Sequence, residues 1–291
     1  MINGGIINTV AAAAEVCTTN NSSFPTSNLA YYKLDGDAID SSGNGYNGTP
    51  SNITWGVGKF GPAAVFNGSS SVITSSSAGG AINVSNLSFS LWLNTNNTST
   101  AHKVFLSQYD ESGKSRFYFS LKDSGISVIV YGTSSAYTQN FPNIISTNQW
   151  YHIAITQTST ATKLYLNGQL QTASSSSGSP LNIKIASSPP ALYFGQLQLY
   201  PGTFPFNGEL DQVRIFNTVL TANQVTELYE DEIECCTTDE VNYPVTNLAY
   251  YQLNGGTGTT VVDETNTYDG TSSNVTYGAG LFNDAAVFNG S

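Results

Sequence analysis

Leu87-Ser-Phe-Ser-Leu-Trp-Leu-Asn94 decides the fold. Its strict alternation sets Phe89, Leu91 and Leu93 on one face and Ser88, Ser90 and Trp92 on the other, the period of a strand with one side in a core. Trp150-Tyr-His-Ile-Ala-Ile-Thr156 repeats the pattern, with Tyr151, Ile153 and Ile155 opposed to His152, Ala154 and Thr156. Lys163-Leu-Tyr-Leu-Asn-Gly-Gln-Leu170 reads as strand, turn, strand, because Asn167-Gly168 supplies the positive φ angles of a tight hairpin. Further strands are expected over Ala30–Leu34, Ala63–Phe66, Val104–Tyr109, Arg116–Leu121, Ser127–Tyr131, Leu192–Gly195 and Leu210–Phe216. One helix stands apart: Thr221-Ala-Asn-Gln224 is a capping-box pattern, and Val225, Leu228 and Tyr229 share a face through to Glu230. Short strands at this density, punctuated by Gly, Ser and Asn, predict an all-β chain. The expected architecture is a two-sheet antiparallel jelly-roll sandwich with one short C-terminal helix.

The chain then starts again. Asn28-Leu-Ala-Tyr-Tyr-Lys-Leu-Asp-Gly36 returns as Asn247-Leu-Ala-Tyr-Tyr-Gln-Leu-Asn-Gly255, and Ala63-Ala-Val-Phe-Asn-Gly-Ser69 as Ala285-Ala-Val-Phe-Asn-Gly-Ser291. The offset runs from 247 − 28 = 219 to 291 − 69 = 222, so the second copy gains three residues. A spacing this long is a complete domain rather than a solenoid unit. The expected divisions are a tail or docking segment over 1–27, a full bead over 28–230, a linker over 231–246 and a partial second bead over 247–291. A partial bead leaves apolar faces without a partner sheet. Either the natural polypeptide continues past Ser291 or these strands complete a neighbour's sheet.

Composition narrows the partners. Charged residues are only 10% of the 291, so solubility rests on Ser, Thr, Asn and Gly, while 12% aromatics still supply a core. A net charge of −11 with nine basic residues argues against nucleic acid and anionic membranes. No apolar run approaches the ~20 residues that span a bilayer, so membrane insertion is not expected. Met1 to Ala14 is apolar and uncharged but broken by Asn and Gly, and reads as a non-cleaved tail. Cys17, Cys235 and Cys236 are odd in number, fit no zinc spacing and lie in linker positions. Free thiols, a Cys17 pairing with Cys235 or Cys236, and an interchain bond stay open.

Read together, Tyr32-Lys-Leu-Asp-Gly36, Asp40-Ser-Ser-Gly-Asn-Gly45, Gly58-Lys-Phe-Gly-Pro-Ala-Ala-Val-Phe-Asn-Gly68, Phe89-Ser-Leu-Trp92, Trp150-Tyr-His-Ile-Ala154, Leu164-Tyr-Leu-Asn-Gly168 and Phe206-Asn-Gly-Glu-Leu-Asp-Gln-Val-Arg-Ile-Phe216 resemble the laminin-G-like jelly rolls of the concanavalin A-like lectin/glucanase superfamily. The match runs over about 200 residues in the family's order. It implies a carbohydrate- or protein-binding module of the kind appended to bacterial surface proteins and phage fibres. Trp92, Trp150, Phe66, Phe89 and His152 read as packing residues, and the Asn-Gly pairs as turn chemistry.

Asp211 is less ordinary. Alternation puts it in phase with Val213 and Ile215, aiming a carboxylate inward, where a charge needs a counter-ion or several donors. The resemblance implies a calcium ion between the early loop and this late strand. Asp40, Asn44 and Asp211 are therefore the expected Ca²⁺ ligands, oxygen donors suited to a hard cation. The alternative is that Asp40 caps its own turn and Asp211 pairs with backbone amides or Arg214. The second copy keeps an acid, Asp263, at the matching loop but loses Gly-Asn-Gly.

Catalysis is not expected. Related glucanases place Glu-x-Asp-x-x-Glu on one strand, and Glu209-Leu-Asp-Gln-Val-Arg214 ends in Arg instead. His102 and His152 have no adjoining nucleophile signature. Tyr137, Tyr193 and Tyr200, near Gly- and Pro-rich loops, are candidates for a sugar-stacking surface that sequence does not place on one face. The expected function is non-enzymatic and adhesive or structural. The favoured setting is a phage virion appendage, with cell-surface glycan or protein as ligand and residues 1–27 meeting virion proteins or other copies. A bacterial or archaeal surface adhesin or filament subunit, and a glycan-binding module of a hydrolase, are the alternatives.

Overall fold

The computed structural model describes residues 25–109, 116–132, 135–180, 183, 188–197 and 204–234, with 260–261, 270–271, 276–279 and 284–287 beyond them. The Cα framework divides into Cys17–Thr237 and a second unit of Met1–Val16 with Thr238–Ser291. In chain order the first unit runs β1 (Ala30–Tyr32), β2 (Thr49–Ser51), β3 (Thr54–Val57), β4 (Pro62–Asn67), β5 (Val72–Ser75), α1 (Ser76–Ala81), β6 (Leu87–Thr95) and β7 (Lys103–Gln108). It continues with β8 (Phe117–Lys122), β9 (Gly125–Tyr131), β10 (Ala136–Phe141), β11 (Tyr151–Gln157), β12 (Thr162–Leu166) and β13 (Gln169–Leu170). Then come β14 (Ser175–Ser177), β15 (Leu192–Phe194), β16 (Asn207–Phe216) and α2 (Ala222–Glu234).

Two antiparallel sheets result. The first has the order β13-β12-β11-β6-β16-β4-β3, with β1 also paired to β16, and the second β14-β10-β9-β8-β7-β15-β5-β2. Their inner faces form one core. Phe89, Leu91 and Leu93 of β6, with Ile153 and Ile155 of β11, meet Phe117, Phe119 and Leu121 of β8 and Val128 and Val130 of β9. Phe89 joins the layers directly, its ring 5.0 Å from that of Phe117 and 5.1 Å from that of Phe119. Each such aromatic pair adds about 0.5–1.5 kcal/mol beyond the area it buries.

The outer face of the first sheet is covered by α2. Ala154, Tyr165 and Phe216 pack with Leu220, Val225 and Leu228 in a second apolar cluster. The capping box closes reciprocally: Gln224 N donates to Thr221 Oγ1 at 3.2 Å, and Thr221 N to Gln224 Oε1 at 3.0 Å. The helix runs on to Glu234, into the segment read from sequence as linker.

Two features differ from the sequence reading. A second helix, α1, is capped by Ser75 Oγ, which accepts from Ala78 N at 3.3 Å. Its Ser76-Ser-Ala-Gly-Gly-Ala81 carries no apolar period, and it is held by tertiary contact: Gln108 Nε2 donates to Gly79 O at 2.6 Å and to Pro190 O at 2.8 Å. Arg116, fully buried, holds the segment after it, with Nη1 donating to Ile82 O at 2.6 Å and to Gln108 Oε1 at 2.7 Å, and Nη2 to Val84 O.

The second difference concerns Asp211. It does not stay in phase with Val213 and Ile215, because a bulge shifts the β16–β6 register between Asp211 and Arg214. Gln212 takes the extra place with φ 49°. Leu210 and Val213 enter the core, while Asp211 lies opposite Trp92 on the helix-covered side.

In the second unit, β17 (Thr260–Val261) pairs with β18 (Gly270–Thr271), and β19 (Thr276–Ala279) with β20 (Asp284–Val287). The latter hairpin repeats the β3–β4 register: Thr54 opposes Val65 and Trp55 opposes Ala64, as Thr276 opposes Val287 and Tyr277 opposes Ala286.

Candidate functional site

The three expected calcium ligands divide between two places. Asp40 is saturated by its own loop: Oδ1 accepts from Tyr31 N and Ser42 N, and Oδ2 from Tyr46 N and Ser42 Oγ, all at 2.9 Å. These donors outweigh burial and hold its pKa below the ordinary carboxylate value. Asn44 braces the same loop, its Nδ2 donating to Leu29 O at 3.0 Å. Asp211 is bonded elsewhere. Its Oδ2 accepts from Lys59 N and Phe60 N, both at 2.9 Å, in the turn between β3 and β4. A Cβ on Gly58 would lie 2.6 Å from that oxygen, so the turn approaches the carboxylate only because Gly58 is bare. Asp211 Oδ1 has no hydrogen-bond partner and is buried. Burial raises the pKa of Asp211 to about 7, with Asp35 adding repulsion. The donor set of a single cage is thus not assembled by these three residues. Asp40 has no oxygen to spare, and among the described residues no three His, Cys, Asp or Glu side chains converge. Of the two carboxylates, Asp211 alone leaves a buried oxygen, Oδ1, without a hydrogen-bond partner.

Beside Asp211, rings fill the rest of this side. Trp92 lies 5.4 Å from Phe60, 5.4 Å from His152 and 5.8 Å from Tyr229 of α2, with Lys59 Nζ 5.0 Å from its ring. His152 is fully buried with Nε2 2.8 Å from Ser90 Oγ, and burial lowers its pKa to about 3. It packs as a neutral ring, as its place in the strand pattern implied. Glu209 is opposite Asn94 on this side too.

The outer face of the second sheet is different in kind. One row crosses all eight strands in register: Thr49, Thr74, Tyr193, Ser107, Tyr118, Ile129, Thr138 and Ser177. The neighbouring row is Val104, Ser120, Ser127, Asn140 and Ser175. Around them the rings are contiguous. Tyr109 lies 5.6 Å from Tyr118 and 5.6 Å from Tyr131, and His102 lies 5.8 Å from both Tyr118 and Phe204. His102 Nδ1 is 2.8 Å from Ser120 Oγ; burial, then Lys122, lowers its pKa below the usual imidazole value. Burial raises the phenols of Tyr118 and Tyr131, with Tyr109 adding to the first and Tyr118 to the second. Asn140 accepts from Ser127 Oγ at 2.8 Å and donates to Ser175 Oγ at 3.2 Å, which fixes its amide on the face.

Of the tyrosines considered from sequence, Tyr193 belongs to this face. Tyr137 does not: it opposes Val130, on the core side, and is buried. Tyr200 lies outside the described residues. Tyr118 and Tyr131 were missed, although alternation marks them, since Tyr118 separates Phe117 from Phe119 and Tyr131 follows Val130.

The comparisons agree with this architecture. The family model described as the concanavalin A-like lectin/glucanases superfamily matches residues 66–226. No curated protein sequence matches. Among solved structures, domain 4 of AbnA, a GH43 extracellular arabinanase from Geobacillus stearothermophilus solved with arabinotriose, is 28% identical with a TM-score of 0.56, covering 69% of this chain and 97% of that one. The binding domain of Paraclostridial Mosquitocidal Protein 1 is 21% identical (TM-score 0.55), covering 70% of this chain and 52% of that one. The receptor binding domain of botulinum neurotoxin mosaic serotype C/D is 17% identical (TM-score 0.55), covering 72% and 51%. These last two share the fold and are spanned over about half their length. The family match, the paired sheets and the strand order agree: this chain belongs to the concanavalin A-like lectin/glucanase superfamily.

Proposed function

We propose that the first unit is a non-catalytic carbohydrate-binding module whose ligand rests on the outer face of the second sheet. The observation that carries this is the run of five rings, Phe204, His102, Tyr118, Tyr109 and Tyr131, bordered by Ser, Thr and Asn. Aromatic faces pack on the C–H faces of sugar rings, and fixed amides and hydroxyls bond their rims. The arabinotriose-bound domain at 28% identity supports the reading. Titration calorimetry with arabino-, galacto- and gluco-oligosaccharides tests it. Binding that Tyr118→Ala weakens tenfold or more supports the assignment, and equal binding by both proteins moves the site elsewhere.

The setting we infer is a virion fibre or a tail or head appendage, in which copies of the module are strung in tandem. The repeated hairpin register at an offset of 222 supports tandem display. Residues 1–27 are the proposed attachment to virion proteins or to other copies. Deleting Met1 to Ala14 is expected to release the protein from assembled particles, and retention would count against the placement. A secreted surface adhesin is the second reading, favoured by the extracellular arabinanase among the structural relatives. Among the described residues no helix is long and apolar enough to cross a membrane.

Calcium enters the proposal through Asp211 alone. Calorimetry with Ca²⁺ is expected to give heat that Asp211→Asn removes. Heat that survives Asp211→Asn but is lost in Asp40→Asn would return the ion to the early loop.

A further inference from the structure

We propose that Asn44-Gly45 is a site of spontaneous self-modification, where the folded chain cyclises to a succinimide and reopens as isoaspartate or aspartate, loosening the early loop from β1. Five Asn-Gly pairs fall among the described residues, at Asn44, Asn47, Asn67, Asn167 and Asn207. The chemistry asks two things of such a pair: a main-chain N–H free to turn toward the carboxamide carbon, and a carboxamide free to meet it. A following glycine helps the first, having no Cβ to hinder the turn. The fold withholds one or both from four of the five. Asn47 Oδ1 accepts from Asp40 N at 2.9 Å, and Gly48 N is occupied by Ala38 O at 2.8 Å. Asn67 Oδ1 accepts from Ser69 N at 2.9 Å and Ser70 N at 2.8 Å, and Gly68 N donates to Phe206 O at 3.0 Å. Asn167 Oδ1 accepts from His152 N at 2.9 Å, and a Cβ on the buried Gly168 would lie 3.2 Å from the Tyr229 ring. Gly208 is buried in the ladder of β16, between β4 and β6.

Asn44 and Gly45 differ on each point. Both are exposed, Gly45 N has no hydrogen bond among the described residues, and a Cβ on Gly45 would meet nothing within 4 Å. The carboxamide is held through Nδ2, which donates to Leu29 O at 3.0 Å and to Asn28 O at 3.4 Å, so its carbonyl side stays open. Gly45 N gives its proton to solvent base and bonds to Asn44 Cγ; the Cγ–Nδ2 bond breaks and ammonia leaves. Water then adds at one ring carbonyl. Opening at Cγ leaves aspartate. Opening at the main-chain carbonyl breaks the original peptide bond and leaves isoaspartate, with the chain running through Cγ. Nothing is oxidised or reduced. Both products lose the Nδ2 donor and gain a carboxylate, which as a pure acceptor cannot bond Leu29 O or Asn28 O. The tie between the loop and the start of β1 is thereby lost. The second copy, aligned on Tyr46 and Tyr268, has Asn266-Thr267 at this place, where a β-branched side chain hinders the turn.

The test uses the full 291-residue chain, incubated at pH 8 in heavy-oxygen water, both folded and in 8 M urea. Mass spectrometry then reads the tryptic peptide Leu34–Lys59, which carries Asn44 and Asn47 together. The two share the same following residue, so a difference that needs the folded state comes from the fold. In the folded chain, label is expected at Asn44 at least tenfold faster than at Asn47, Asn67, Asn167 or Asn207. In urea the rates at Asn44 and Asn47 should converge to within threefold. The folded rate should rise with pH between 7 and 9, because attack needs Gly45 N without its proton. Equal rates at Asn44 and Asn47 in the folded chain overturn the selection, as does a tenfold gap that persists in urea. A folded chain without label at Asn44 removes the site. Asn44→Asp, which carries the charge of one product, tests the structural consequence: hydrogen exchange over residues 28–48 is expected to quicken at least fivefold. Unchanged exchange there would overturn the loosening of the loop.

Discussion

Asp211 and His152 are buried on the same side of the first sheet, both next to Trp92, with opposite consequences for pH. The Asp211 pKa is raised from 3.8 to about 7 by burial, so its contribution to folding is full below about pH 4 and is lost as pH rises through 7. The His152 pKa is lowered from 6.5 to about 3, by burial and then Arg214, so its contribution is present above pH 6.5 and is lost as pH falls toward 3. Between pH 4 and 6.5 the two oppose each other, each worth on the order of 3 kcal/mol at most. Asp211→Asn should therefore uncover a stability that falls on acidification through this range. His152→Gln should uncover one that rises. Urea unfolding at pH 4.5, 5.5, 6.5 and 7.5 measures both, and variant profiles parallel to the wild type would refute the pairing. Asp40 belongs to a lower window. Its pKa is depressed, so its contribution is held above the ordinary carboxylate value and lost only below it. Removing its four acceptor bonds in Asp40→Ala should cost about 2–4 kcal/mol at pH 7 by the same measurement. An inward carboxylate was legible in the sequence, but its direction was not. A bulge is set by the backbone of Gln212, which no residue pattern announces.

Strands with one apolar face were readable and strands without one were not. β6, β11, β12 and β16 carry alternating large residues, and their faces match the cores they enter. β10, Ala-Tyr-Thr-Gln-Asn-Phe, and β14, Ser-Ser-Ser, have little to alternate and are recruited by pairing with β9 and with each other. The same limit hid the tyrosine face, whose members are legible one by one but whose line across eight strands is a property of register. Element joints carry their own constraint. Gly208, the second residue of the long strand β16, has φ 151°, and a Cβ there would lie 2.1 Å from Asn94 O. Neither backbone can move without breaking the β16–β6 pairing. Gly208→Ala is thus expected to destabilise the unit by about 2–3 kcal/mol in urea unfolding while Gly80→Ala, with open space, is near neutral. A cost below 1 kcal/mol for Gly208→Ala would show that this joint yields. The capping box of α2 was the clearest local signal of all, since Thr221 and Gln224 satisfy each other without outside help.

At the scale of the whole chain, the repeat was legible because it is written in identical residues, and the structure adds the pairing that identity alone leaves open. Thr276–Ala279 and Asp284–Val287 pair as Thr54–Val57 and Pro62–Asn67 do, although Lys59 and Pro62 of the first turn correspond to Leu281 and Asp284 in the second. Among the described residues, the side-chain core of the first unit draws on residues between Leu29 and Ile215, with Leu220, Val225 and Leu228 closing the helix side. A unit of this size buries about 70% of the surface its unfolded chain exposes, enough to stand alone. The fragment 17–237 should therefore unfold in one cooperative transition within about 3 °C of the corresponding transition of the full chain, and should bind the same glycans with the same affinity per site. Scanning calorimetry and titration on the two proteins measure this. A fragment that melts 10 °C lower, or loses cooperativity, would mean that residues after 237 share the first core. Equal stability would instead make tandem copies independent binders. Any gain on a multivalent glycan surface would then come from effective concentration rather than from contact between units.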